Sequence, residues 1–173
     1  MTRRPDLAHY RGWEVAGTAH VDAYDLGPLA GALGCGAPVN EGPHHWVFHR
    51  ALHDLQRWMS TPWRPPASSP RIQVDAQGVI AKDPLGNALG GIRTPQLDAP
   101  IATYTGVGVG TGFCFLAGTT AKFSPSQLTA VYGNRSEYLR RYLVAEGRAL
   151  DQRFLLAVDA PGVFGEALAV PFP

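Results

Sequence analysis

The chain has 173 residues, with 15 lysines and arginines against 14 acidic residues and a formal net charge of +1. That length fits one domain of roughly 100–200 residues, and the charge balance argues against an electrostatic nucleic-acid binder, which needs a basic excess on one face. No apolar run approaches the roughly 18 residues of a membrane helix, and two cysteines, Cys35 and Cys114, exclude a disulfide-dense scaffold and a cysteine-based structural zinc site.

Apolar residues make up 45% of the chain, enough for a core, whereas 17% charged residues fall short of the usual value of about 25%. Only Lys82 and Lys122 are lysine; every other basic residue is arginine. With 20 glycines and 15 prolines, many turns and short elements are expected rather than a helical bundle. The start, from Met1 to His9, has basic residues but no apolar segment behind them and does not read as a signal peptide. As encoded, the chain therefore reads as cytoplasmic. There a pair of free, buried thiols is the commoner arrangement, although Cys35 and Cys114 could form one bridge.

Residues 1–60 hold all six histidines, His9, His20, His44, His45, His49 and His53. Trp13 to Gly17 reads as a short strand, and a Gly/Ala-rich stretch runs on to Gly36. A helix follows: Pro43 suits a first turn, Trp46, Val47, Ala51, Leu52, Leu55, Trp58 and Met59 recur at helical spacing, and Pro62 ends it. Residues 61–117 are extended and turn-rich. Arg71 to Asp75, Ile101 to Thr105 and Phe113 to Ala117 read as strands, with turn signals at Ala76–Val79 and Leu85–Ala88. Residues 118–158 are helical. Ser124 and Gln127 form a capping box with Pro125 at the first helical position, Gly133 stops that helix, and a second begins near Ser136. Residues 159–173 read as an irregular tail.

His45, His49 and His53 are spaced by four, a real metal-ligand spacing on a helix. Their neighbours Arg50, Asp54, Gln56 and Arg57 are a mixed set that does not converge on a cation. A solvated helix face is the better reading and a metal site the minority one, so no metal and no cofactor is expected. His44 falls on the apolar face of the same helix. The glycine series from Gly106 to Gly112 lacks the Lys-Ser/Thr of a phosphate loop, and Phe113 stands where a dinucleotide fingerprint needs its last glycine. The acidic residues show no spacing that specifies a two-carboxylate mechanism. His20 differs from the other histidines: it lies in the loop Gly17-Thr-Ala-His20 just past a strand-like segment, with Asp22 two residues on, a placement that suits a general base at a sheet rim.

The phrase Trp13-Glu-Val-Ala-Gly-Thr-Ala-His20-Val-Asp22 resembles the C-terminal histidine segment of a bacterial family of α/β-hydrolase-domain proteins, within the serine hydrolase superfamily. The resemblance continues through Cys35-Gly-Ala-Pro-Val-Asn40-Glu-Gly-Pro43 and the helix after it. It reappears in Gly86-Asn-Ala-Leu-Gly-Gly-Ile-Arg93-Thr-Pro95, Asp98 to Tyr104 and Cys114 to Phe123, covering all but the last fifteen or so residues. It implies a partial α/β-hydrolase-like fold: the last strand of a parallel sheet at Trp13–Gly17, the following helix packed across it, a turn-rich extended region and C-terminal helices. It also implies that His20 is the triad histidine, which takes a proton from a serine nucleophile and returns it to the leaving group. Arg93 reads as a loop-bracing ion-pair residue.

One departure matters. A serine hydrolase of this fold carries its nucleophile in a G-x-S-x-G elbow and orders its triad Ser, acid, His. None of Ser60, Ser68, Ser69, Ser124, Ser126 and Ser136 lies in that context. The expectation is a truncated, esterase-like serine hydrolase fragment that is inactive alone because both the nucleophile and the triad acid are absent. Its partner would be the missing N-terminal half, or another copy joined through the exposed strand edge at Trp13–Gly17. A non-catalytic binding or assembly module on the same scaffold is the alternative, followed by a His-rich metal-binding helix protein.

Overall fold

A computed structural model describes residues 3–173. In chain order the elements are α1 (Ala23–Leu26), a 3-10 turn (Gly27–Gly31), α2 (His45–Ser60), α3 (Pro95–Asp98), β1 (Ala102–Thr105), α4 (Phe113–Leu116), β2 (Thr119–Lys122), α5 (Pro125–Tyr132), α6 (Arg135–Asp151) and α7 (Ala160–Leu168). Helices thus accompany one small antiparallel sheet, a partial α/β fold. In that sheet Ala102 pairs with Lys122 and Thr105 with Thr119.

Local chemistry sets the helix ends. Ser124 Oγ accepts from the Gln127 amide while the Gln127 side chain accepts from the Ser124 amide, the reciprocal box that starts α5. Asn134 caps α6 through the Glu137 amide. α2 begins two residues after Pro43, with His44 at its cap. Between α2 and α3 the chain makes two turns of one design, at Asp75–Val79 and Asp83–Asn87. In each, the aspartate side chain accepts two backbone N–H groups, at 2.8 to 2.9 Å. A glycine then takes positive φ, Gly78 at 80° and Gly86 at 83°, as a three-residue hairpin loop demands. Only isolated bridges form beside these turns, Ile72 with Gly90, Val74 with Ile80 and Lys82 with Ala88, so Arg71–Asp75 is not a full strand.

Three clusters make the core. The largest joins α5, α6 and α7 through Leu128, Tyr132, Tyr138, Tyr142 and Val163. The buried phenols Tyr132 and Tyr142 donate to Pro100 O at 2.8 Å and Val163 O at 3.1 Å, as buried hydroxyls must. A second cluster gathers Ala16, Ala88, Leu97, Ala102 and Tyr104. The third holds Val47, Ile92 and Phe154, with Trp13 and Val15 against it, so α2 does pack over the Trp13–Gly17 segment.

Several expectations are corrected. Trp13–Gly17 is not the edge strand of a parallel sheet: it makes one parallel bridge, Val15 with Ile92. Its backbone is not left open either, because Ile92 takes Glu14 O and Ala16 N, Ser69 Oγ takes Glu14 N, Thr18 Oγ1 donates to Val15 O and Asn40 donates to Gly17 O. Phe113–Ala117 is not a strand but the single turn α4 with Ala117 as its cap, and its carbonyls serve as acceptors for other segments: Phe115 O for Gly108 N, Leu116 O for His20 N and Val21 N. The tail is not irregular, since α7 lays Val163 and Ala167, both at most 1% exposed, against α6. Its start, Ala-Pro-Gly, hides this helix in the sequence, although Pro161 in the first turn is compatible with one.

Finally, Cys35 and Cys114 are not free thiols. They form a disulfide across a sequence separation of 79, tying the segment after the 3-10 turn to α4. A cross-link of that span restricts the unfolded chain and contributes about 4 kcal/mol on a chain-entropy basis. Reduction, or the Cys35→Ser and Cys114→Ser pair, is expected to lower unfolding stability by about 2–4 kcal/mol. Urea denaturation with and without reductant measures it, and equal midpoints would contradict the tether.

Candidate functional site

His20 sits where three segments meet. Its amide donates to Leu116 O at 3.1 Å, and Val21 N reaches the same oxygen at 3.4 Å. Below it, Asn40 is fully buried. Its amide nitrogen donates to Gly17 O at 2.9 Å and to Thr105 O at 2.8 Å, and its oxygen accepts from Gly42 N at 2.7 Å. Gly118 completes the clamp at φ +59°: a Cβ there would lie 2.3 Å from Thr105 O and 2.7 Å from Ala19 Cβ. The backbone of the histidine loop is therefore fixed by α4, β1 and the segment before α2. The His20 ring, by contrast, is exposed, and among the described residues no hydrogen bond or ion pair is made to it.

Asp22 does not serve His20. It is 1% exposed; its Oδ1 caps α1 by accepting from Tyr24 N at 2.8 Å and Asp25 N at 3.0 Å. Its Oδ2 lies 3.0 Å from His44 Nδ1, in ion-pair contact although Nδ1 is not aligned as a hydrogen-bond donor. Asp25 Oδ2 lies 3.4 Å from His44 Nε2 on the other side. Asp22, Asp25 and His44 each bring a potential ligand atom within 4.8 Å of the others, an arrangement that the helix cap and ion pair account for. The Asp22 carboxylate raises the His44 pKa, with burial opposing. For Asp22, burial pushes upward, but the His44 side chain and the Asp25 amide outweigh it and the net shift is downward.

His45, His49 and His53 do not converge. His45 is not on a solvated face, as expected, but buried, with its ring stacked on Tyr24 at 3.7 Å. Burial lowers its pKa. The exposed His49 lies 3.3 Å from Asp159, and His53 lies 3.2 Å from Asp54, which Arg50 also holds. Arg93 braces its loop as expected. It contacts Asp98 at 2.6 Å and Asp83 at 3.1 Å and donates to Leu97 O and Ala88 O. Asn40 and Gly118 carry the geometry around His20, yet sequence reasoning assigned them no role. A lone Asn or Gly gives no periodic signal, and only the pairing of segments far apart in sequence reveals them.

The segment that follows β1 and runs through α4, whose Leu116 carbonyl holds the His20 amide, is apolar and open to solvent. Val107, Val109, Phe113 and Phe115 are each about half exposed, and Leu116 is 38% exposed. On α2, Phe48, Leu52, Leu55 and Met59 form a second exposed stripe at helical spacing, with Met59 72% exposed. No helix of the described residues is long and apolar enough to cross a membrane. A family model described as an alpha/beta hydrolase domain matches residues 1–164. No curated protein matches the chain, and no solved structure does.

Two outcomes test this geometry. Asn40→Ala removes the partner of two buried backbone groups and one partly buried one and is expected to cost about 3 kcal/mol, read as a lower urea midpoint; a neutral effect would show the clamp dispensable. The second outcome depends on pH. A histidine with a raised folded pKa stabilises below its unfolded value of about 6.5 and loses that contribution as pH climbs through the folded value. A carboxylate with a lowered folded pKa stabilises above about pH 4 and loses it as pH falls through the folded value. His44→Gln should therefore cost most, on the order of 1 kcal/mol, between about pH 4 and 6.5, and progressively less above. A penalty independent of pH would remove the ion pair from the account.

Proposed function

Because the chain belongs to the alpha/beta hydrolase domain family, we propose that it is the C-terminal segment of a serine ester hydrolase in which His20 is the general base. The observation that carries this reading is the division of labour at His20: a backbone fixed from three sides and a ring left in solvent. A general base needs a constrained position and a free nitrogen within reach of the hydroxyl it deprotonates. Of the six serines, four are already engaged within their own segments. Ser124 caps α5, Ser126 bonds Ser124, and Ser60 and Ser69 donate to carbonyls of their own segments. No G-x-S-x-G elbow occurs in the sequence, so nucleophile, triad acid and oxyanion donors come from outside these residues, and His20 alone has nothing to activate.

The exposed apolar side chains around α4 and along α2 fit a surface that the nucleophile-bearing part covers. Contiguous apolar surface of this kind marks an association site. It takes the place of the strand edge as the basis for a partner. The Cys35–Cys114 disulfide favours an oxidising compartment, where such bonds persist, over the cytoplasmic reading.

The purified chain is expected to hydrolyse p-nitrophenyl acetate and butyrate no faster than buffer, and His20→Ala should change nothing. Adding the polypeptide encoded upstream of Met1, where it carries G-x-S-x-G and an acid, should produce esterase activity that His20→Ala abolishes. Hydrolysis by the chain alone that depends on His20 would overturn the incompetence. Activity of the pair that survives His20→Ala would overturn the role of the histidine, and no activity from the pair would favour a non-catalytic module.

A further inference from the structure

A cavity of about 220 Å³ opens between β1, α3, α6 and α7. Its charged lining is acidic, Glu41 and Glu166. Glu166 of α7 accepts from Trp46 Nε1 at 2.8 Å through one oxygen and from Gln96 Nε2 at 2.7 Å through the other. Among the described residues no cationic side chain pairs with it, and burial raises its pKa against the pull of those two donors. With Glu166 ionised, the Gln96 amide cannot be turned round, because a carboxylate accepts only and must face the NH₂ end. That fixes Gln96 Oε1 as a buried acceptor with no partner, on a residue 9% exposed. Such orphans are rare in folded proteins and call for an explanation. The rings of Tyr104 and Tyr138 also line the space, and aromatic faces attract cations. At the mouth, Glu41 is already neutralised by Lys122 at 2.9 Å.

We propose that this cavity is a binding site for a small primary ammonium group. Such a group meets every unbalanced feature at once. Its positive charge answers the lone Glu166 carboxylate, one N–H fills the empty acceptor Gln96 Oε1, and its carbon-bound face lies against the tyrosine rings. A neutral alcohol of the same length could satisfy Gln96 but would leave the carboxylate unpaired. An anion would meet the like charge of the Glu166 carboxylate. The volume is below the roughly 300–1,000 Å³ of drug-sized pockets, so the ligand portion inside is a head group of a few heavy atoms. The proposal is independent of the role of His20.

Calorimetric titration of the full chain with n-butylammonium chloride, in amine-free phosphate buffer, tests it against 1-butanol as the uncharged counterpart. Saturable one-to-one binding of the ammonium is expected, at least about tenfold tighter than the alcohol. Glu166→Gln should weaken it by about tenfold or more. In Glu166→Gln the Gln96 amide can reverse to keep its bond, so folding is preserved, and a thermal melt checks that. If the variant fails to fold, the ammonium-versus-alcohol contrast on the unaltered chain, with side-chain NMR shifts required at Tyr104 and Tyr138, decides alone. Equal binding of alcohol and ammonium would reduce the site to an apolar void. No binding would make it a water-filled one, and shifts elsewhere would move the binding off this cavity; each of these overturns the proposal.

Discussion

The buried amide of Asn40 joins parts of the chain that no regular sheet connects. Both of its N–H groups are used, one on Gly17 O and one on Thr105 O, and its oxygen holds Gly42 N. An aspartate could not replace it, because a carboxylate has no hydrogens to give and would sit uncompensated in a site that water does not reach. Asn87 does related work on β1. Equally buried, it donates to Ala102 O at 3.0 Å and accepts from Tyr104 N at 2.8 Å, standing in for a neighbouring strand. The two asparagines let a two-stranded sheet persist without a long open edge that would recruit other chains.

The shortage of charge has a counterpart in how charge is used. Arg93 ties Asp83, Asp98 and two carbonyls together from one guanidinium, and Arg3 and Arg71 both engage Glu14 at 2.8 and 3.3 Å. A planar group with five donors can do this and a lysine cannot, which fits a chain with only two lysines. These partly buried clusters sit in the turn-rich region, where few apolar contacts are available. The C-terminal helices rely instead on tyrosine rings, with Tyr132, Tyr138 and Phe172 edge-on or stacked between 5.2 and 6.1 Å apart.

What the sequence made legible was local. α2, α5 and α6 carried period and stop signals, α5 its capping box, and the two Asp-x-x-Gly turns and the brace at Arg93 were readable as well. What escaped depended on long-range partners. Trp13–Gly17 has strand composition, yet the chain offers it one bridging residue in place of a neighbouring strand, and propensity does not supply a partner. Phe113–Ala117 alternates like a strand, but the disulfide at Cys114 and the demand of His20 and Val21 for Leu116 O accompany a tight turn there. His45 reads as solvent-facing by angle alone; α1, only four residues long, brings Tyr24 over its ring. The family resemblance carried what periodicity could not, since it singled out His20 without any geometric rule, although it gave Asn40 no role.

The contrast between His20 and His44 bears on what the site is for. Both lie near the same acidic cap, and both could have been packing residues. For His44 the fold engages both ring nitrogens, with Asp22 on one side and Asp25 on the other. For His20 it engages the backbone and leaves the ring alone. Fixing the backbone of a surface loop costs roughly 1–2 kcal/mol of conformational entropy per residue. A merely solvated side chain gives no return for that cost. A ring that must meet a hydroxyl on another segment does, because positional error of about 1 Å is costly in acid–base catalysis. Val109, Phe113 and Phe115, on and before α4, are exposed as well, and a partner covering them would reach the element whose Leu116 carbonyl holds the His20 amide. Clamp, free ring and exposed apolar side chains are separate features of the chain, and the externally supplied hydroxyl proposed for His20 is a role that would use all three.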